Sequence, residues 1–169
     1  MMQKQPLFCR VYTIAYRFNL TQVTVHTIIN SYIDYCKRRL YSGKEVQIFG
    51  LITIIPDVLV DNYKTTLAYD CYELSKEIGI PSNTVYCIVK EYINSMEQQI
   101  LEGINVEMRG LVSFHPMYKD GELSVVHSAI STTVREDIQK LNTPIHSVRV
   151  HTHKILKYKM KNKEVLGYE

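Results

Sequence analysis

Apolar positions along the chain follow two periods, and the same succession of periods occurs twice. Leu7, Val11, Ile14 and Phe18 stand four, three and four residues apart, one face of a helix, and Leu67, Cys71, Leu74 and Ile78 repeat that spacing. In the first of these stretches Val11-Tyr12-Thr13-Ile14 is also good strand sequence. Each stretch ends in a break, at Asn19 and at Gly79-Ile80-Pro81, and Thr21 or Ser82 follows as a helix-capping residue. A long amphipathic helix is expected next, over 22–42 and 82–102. Its stripe is Val25, Ile28, Ile29, Tyr32, Ile33, Cys36 and Leu40, matched by Val85, Ile88, Val89, Tyr92, Ile93, Met96 and Ile100. Gly43 and Gly103 close the two helices as left-handed caps. The period then becomes two: Val46, Ile48, Val106 and Met108 alternate with polar neighbours, as in a half-buried strand. Gly50 and Gly110 break that strand, and a second apolar run (51–55 and 111–114) ends at Pro56 or Pro116.

Residues 18–56 align on 78–116 without a gap, at a constant offset of 60. Gly43, Val46, Gly50 and Leu51 coincide with Gly103, Val106, Gly110 and Leu111. A repeat of this length is one supersecondary unit used twice. The ten residues 57–66 between the copies suffice for a linker strand at most, whereas 53 residues follow the second copy. In that extension Met117–Gly121 resembles a hairpin tip on Asp120-Gly121, 123–131 reads as extended, 133–141 as a short helix, and 147–152 as a strand with Val148 and Val150 inward. The fold class expected is α+β, with strands 45–55 and 105–115 forming the sheet layer. The first unit is expected over 1–60, and the second, with its extension and tail, over 61–169.

Composition changes this picture little and charge changes it more. The chain of 169 residues is 46% hydrophobic and 22% charged, has no apolar run near the roughly 18 residues of a membrane helix, and shows no secretory h-region at its start. Cys9, Cys36, Cys71 and Cys87 show no metal or disulfide spacing and read as reduced thiols. Net charge is +3, but 1–148 holds 14 basic and 15 acidic residues, so the basic character lies in the tail. Arg149, Lys154, Lys157, Lys159, Lys161 and Lys163 occur there with no acid among them. Such a tail fits a nucleic-acid backbone, through counterion release, or an acidic protein surface.

The segment from Gly43 to Ile54 (GKEVQIFGLITI) resembles the "GEKVQLVGFGTF" segment of the HU/IHF family of bacterial DNA-bending proteins. As in that family, a two-helix hairpin precedes it, and Gly103–Phe114 repeats the pattern more loosely. Ile145–Leu156 resembles the final strand and helix start of HU-like proteins. The resemblance implies two HU/IHF-like units in tandem, packed as a single-chain pseudo-dimer around the long helices. The departures are equally specific. Ile52 and Val112 replace the family's second glycine, the first copy has no room for a DNA-embracing arm, and no proline-tipped arm follows Pro116. Duplicated or degenerate HU/IHF-like folds also serve as ring proteins below the portal of crAss-like tailed bacteriophages, and this chain is similar in its Tyr-, Ile- and Lys-rich composition.

The expectation drawn from both resemblances is a non-enzymatic, ring-forming structural protein of a phage virion, assembled in the bacterial host cytoplasm. Its partners would be further copies of itself and neighbouring virion proteins such as the portal. A DNA-binding architectural protein, using the tail and the hairpin of the second unit, is the alternative, and a small regulator binding a host protein through a sheet edge a third. No phosphate loop, nucleophile elbow or catalytic carboxylate pair occurs, so neither cofactor nor enzymatic activity is expected. His151 and His153, two apart with His146 upstream, offer imidazoles but no nearby cysteine or acid, and no metal is expected. His26, His115 and His127 read as isolated residues, Tyr32 and Tyr92 as core, and Tyr12, Tyr16, Tyr63, Tyr118 and Tyr158 as candidate interface anchors.

Overall fold

Both repeats fold into the same elements because they carry the same punctuation. The computed structural model describes residues 7–60 and 64–162. In chain order its elements are α1 (Leu7–Phe18), α2 (Gln22–Tyr41), β1 (Val46–Ile48), β2 (Ile52–Pro56), α3 (Leu67–Ile78), α4 (Ser82–Leu101), β3 (Val106–Met108), β4 (Val112–Lys119), β5 (Glu122–Ile130), α5 (Thr132–Lys140), β6 (Val148–Thr152) and α6 (Lys154–Lys161). The fold class is α+β, with two three-stranded antiparallel sheets among the described residues. No helix among these residues is long and apolar enough to cross a membrane.

The four-three-four spacing of α1 prevails over its strand-like residues, because a helix there buries Val11, Ile14 and Ala15 together. Thr21 caps α2 by accepting from the Thr24 N–H at 3.1 Å. Ser82, expected to do the same for α4, lies inside the first turn; Pro81 takes the cap position, and α4 has no side-chain cap bond. Both long helices end in the same double bond. Gly43 N–H donates to Leu40 and Lys44 N–H to Arg39, while Gly103 N–H donates to Ile100 and Ile104 N–H to Gln99. That pattern needs a left-handed residue, and both glycines sit at φ +81°.

Pro56 is the last residue of β2, as expected, whereas Pro116 does not end its strand. Pro56 still pairs with Val148, and β4 continues through Pro116 to Lys119. β1 and β3 stop opposite Ile54 and Phe114, so each proline lies where its strand has one free side, a position that tolerates a missing N–H. Asp120 and Gly121 both have positive φ and make the tight turn from β4 to β5. A register shift at Met117/Tyr118 leaves Ser124 as the extra residue of a bulge.

The sheets run β1-β2-β6 and β3-β4-β5. β2 is therefore central in a sheet whose third strand comes from beyond the whole second repeat, with Thr53 opposite His151 and Ile55 opposite Arg149. Stretches 1–60 and 61–169 thus share a sheet, and 57–66 adds no strand among its described residues. The helices that follow β5 and β6 dock alike. Ser131 N–H donates to the Leu111 carbonyl and His153 N–H to the Leu51 carbonyl, both at 2.9 Å. Val134 and Ile138 of α5 are buried, as are Leu156 and Met160 of α6. In chain order the second repeat is an insertion between β2 and β6 of the first.

The two long helices touch each other, each lies on its own sheet, and α1 and α3 cross over to pack on the opposite repeat's long helix. One continuous core results, running from Val11 to Met160. Leu156 is fully buried in it. Leu156→Ala should therefore cost about 2–5 kcal/mol. Hydrogen exchange should locate the loosening in β1 and β2, about a hundred residues earlier in the chain.

Candidate partner interface

The basic tail folds into an ordered element because two of its apolar residues are needed by the core. α6 buries Leu156 and Met160, one turn apart, and this fixes which way its lysines face. Lys154, Lys157 and Lys161 fall on the exposed side at intervals of three and four, and Ile155 and Tyr158 flank them, each about half exposed (51% and 52%). Arg149 is exposed on β6, on the sheet face turned away from the core, and His151 shares that face. Of the expected basic residues, Arg149, Lys154, Lys157 and Lys161 are solvent-exposed, the three lysines as a stripe along α6 and Arg149 apart from them on β6. Lys163 lies outside the described residues.

Lys159 does not belong to the stripe. Its Nζ lies 3.0 Å from Glu97 Oε1 on α4, and the two side chains are only 25% and 13% exposed. The pair ties α6 to the long helix of the other repeat. The repeat offset makes Lys37 the counterpart of Glu97, and the docking of the terminal helices makes Asp137 the counterpart of Lys159. Charge is thus reversed between the two equivalent places. Lys37 lies under the Gly110 turn as Glu97 lies under the Gly50 turn: a Cβ on Gly110 would meet Lys37 Nζ at 2.9 Å, and one on Gly50 would meet Glu97 Oε2 at 3.5 Å. Asp137 is engaged by the Tyr41 hydroxyl, which donates at 2.7 Å. The remaining repeat-motif residues, Val46, Leu51, Val106 and Leu111, are core.

The histidines are arranged differently from expectation. β6 ends at Thr152, and His153 is the N-cap position of α6, where its Nε2 lies 2.7 Å from Thr53 Oγ1. Burial holds the His153 imidazole below its ordinary pKa, and neighbouring His151 adds to this. The His146 backbone N–H donates to Asp57 at 3.0 Å. His115 and His127, isolated in sequence, are direct cross-strand partners with ring centroids 6.4 Å apart. Only the β4–β5 register reveals this, and no local motif announces it. No group of three or more His, Cys, Asp or Glu positioned to hold a metal ion occurs among the described residues.

Comparison with protein-family models, with curated proteins and with solved structures finds no match to the chain. The arguments for a function therefore rest on the residues and their arrangement.

Outside the stripe, the densest cluster of reactive groups sits between α2 and α3. Tyr35 donates to Asp70 at 3.1 Å, next to the buried thiols of Cys36 and Cys71. Burial pushes both thiols up to about 12 and raises Asp70 as well. Thiols so held stay protonated and are poor nucleophiles. The cluster fastens the first repeat to the second, as does the outer Arg38–Glu77 pair at 3.0 and 2.6 Å.

Lys159→Ala should destabilise the protein by about 1–2 kcal/mol, because it strands a nearly buried carboxylate, whereas Lys157→Ala should stay within about 0.5 kcal/mol. Urea denaturation of the two variants checks this. A histidine whose folded pKa is depressed binds fewer protons folded than unfolded. Its stabilisation is present above the unfolded value near 6.5 and is lost as pH falls toward the folded value. Stability should fall as pH drops below about 6.5, and less so in His153→Asn, as urea midpoints above and below that pH will report.

Proposed function

We propose that this chain is a non-enzymatic structural protein of a phage virion, a single-chain HU/IHF-like pseudo-dimer that assembles into a ring and docks on neighbouring virion proteins. The observation that carries the reading is what occupies the arm position. In the second repeat β4 and β5 extend into one short hairpin whose tip is Asp120-Gly121, with no proline. At the same place in the first repeat, between β2 and β6, the chain departs to build the entire second repeat. DNA bending by the family uses paired arms with proline wedges together with basic residues on arms and body. Here one arm is gone, the other lacks its wedge, and the body to residue 148 carries 14 basic against 15 acidic residues.

The exposed face of α6, where Ile155 and Tyr158 stand among Lys154, Lys157 and Lys161, has the make-up of a protein-docking surface, an aromatic and an aliphatic side chain among charges, with Arg149 a further exposed cation on β6. Its partner in this reading is an acidic surface of an adjacent virion component. The virion is then the site of action. Covalent fusion of the two units suits such a part, since the pair forms without any dependence on protomer concentration.

Light scattering and negative-stain microscopy on the purified chain test the proposal. A closed, uniform assembly is expected. A persistent monomer would overturn the reading. The DNA-binding alternative makes a separate demand: with the four exposed cations Arg149, Lys154, Lys157 and Lys161, log affinity for duplex DNA should fall with log salt at a slope of about −3.6, about 0.9 per phosphate neutralised. Weak binding with a shallow slope is expected instead.

A further inference from the structure

The two arm positions are not only different in length; their surfaces are complementary. Past Phe114, β4 has no partner on the β3 side, so the hairpin projects with that edge open. Met117 and Val125 are directly paired on one face of it, and both are 53% exposed. The opposite face is anchored: Tyr118 packs its hydroxyl end over Gly103, so closely that a Cβ there would lie 2.2 Å from it. The arm is therefore anchored on that side to the body, which β5 also touches through β6 and α6, and the Met117–Val125 pair on the other side is uncovered. A two-stranded ribbon gains little stability alone in water, and an open apolar edge invites a partner.

The first repeat has no arm to present. Where one would begin, at the ends of β2 and β6, it has a groove of about 440 Å³ lined by Ile55, Pro56, Leu59 and Val148, with Asp57 and Arg149 at its rim. Beside it Val58, Leu59 and Val60 are three consecutive exposed aliphatic residues (38%, 42% and 69%). Val60 is tied to the Gly43 cap, its N–H donating to the Gly43 carbonyl at 2.9 Å, while Val58 and Leu59 leave apolar surface open beside the groove. Each sign of charge also has a counterpart: the arm tip carries Lys119, Asp120 and Glu122, and Asp57 and Arg149 line the groove.

We infer that the Met117–Val125 face of the arm of one copy seats in the Ile55–Leu59 groove of the next. This rests on the ring reading and supplies its contact. Arm and groove are different patches on one molecule, so the interface is heterologous, the kind that propagates head to tail and closes into a ring when the rotation allows. The single arm makes this possible, since each copy then has one donor and one acceptor.

The test uses full-length protein and two surface variants, Met117→Asp/Val125→Asp in the arm and Val58→Asp/Leu59→Asp at the groove. Circular dichroism and melting confirm that each is folded. Light scattering should show each variant weakened in self-association by at least about tenfold relative to the natural chain. Mixed in equal amounts, they should form a one-to-one dimer that grows no further, because one good arm meets one good groove and the remaining pair is spoiled on both sides. If the natural chain assembles but the variants assemble equally well, or their mixture stays monomeric, this contact is wrong while the ring reading stands. If the natural chain itself is monomeric, the ring reading falls and the contact with it.

Discussion

Everything else in the molecule depends on the pairing of β2 with β6. β2 leaves the first repeat with one edge covered by β1 and the other open, and nothing between Pro56 and Val148 supplies the missing strand. The chain must build the whole second repeat before β6 arrives to close that edge and lay α6 over the core. A contact between such distant segments is entropically expensive to form. It is offset by a five-residue ladder and by full burial of Leu156 and near-full burial of Met160. The same pairing brings the basic stripe onto a rigid scaffold. Lys154, Lys157 and Lys161 point outward only because Leu156 and Met160 must point inward.

The two halves share one architecture, and some of the differences between them lie where they meet. Glu97 with Lys159 on one side answers Lys37 and Asp137 on the other, with the signs exchanged. A half paired with a second copy of itself would set Lys37 against Lys159, or Glu97 against Asp137, like charge facing like in poorly solvated positions. The buried Tyr35–Asp70 contact between α2 and α3 is similarly one-sided: its counterparts by the repeat offset are Ser95 and Arg10. Each half thus fits the other half better than it fits itself. Short linkers then keep that pairing within one chain.

Periodicity makes most of this legible in the sequence. The helices α1 to α4, the switch to period two after Gly43 and Gly103, and the tandem relation of the repeats all follow from local spacing, and all are local in their physics. β6 is visible as a strand from the alternation of Val148 and Val150, yet its partner is not, because a strand of a few residues carries no label for the edge it will cover. The same limit hides the His115–His127 pair. Lys159 looks like its neighbours in composition, and only the fold separates it from them. Helical phase alone would place it close to the Leu156 side, but a partner such as Glu97, 62 residues earlier, cannot be read from phase. Pro116 misleads for a related reason: the cost of a proline in a strand depends on whether the neighbouring strand reaches that far, and β3 stops short.

The insertion also explains why one arm survives and not two. A hairpin at the β4–β5 turn needs only Asp120 and Gly121 to reverse the chain. The equivalent point in the first repeat must instead let the chain out after Pro56 and back in before Val148, strands whose ends lie side by side. Closely spaced ends are the geometry that tolerates inserting a domain, and an arm there would be cut by the exit. With no hairpin there, apolar strand ends and the linker residues Val58 and Leu59 lie at the surface, while Val60 folds back on the Gly43 cap. The asymmetry is therefore a structural consequence of fusing the halves by insertion rather than end to end. A two-armed symmetric dimer presents the same surface twice and favours closed, isologous contacts, whereas this chain presents two different surfaces and in the proposed reading is directed toward head-to-tail assembly.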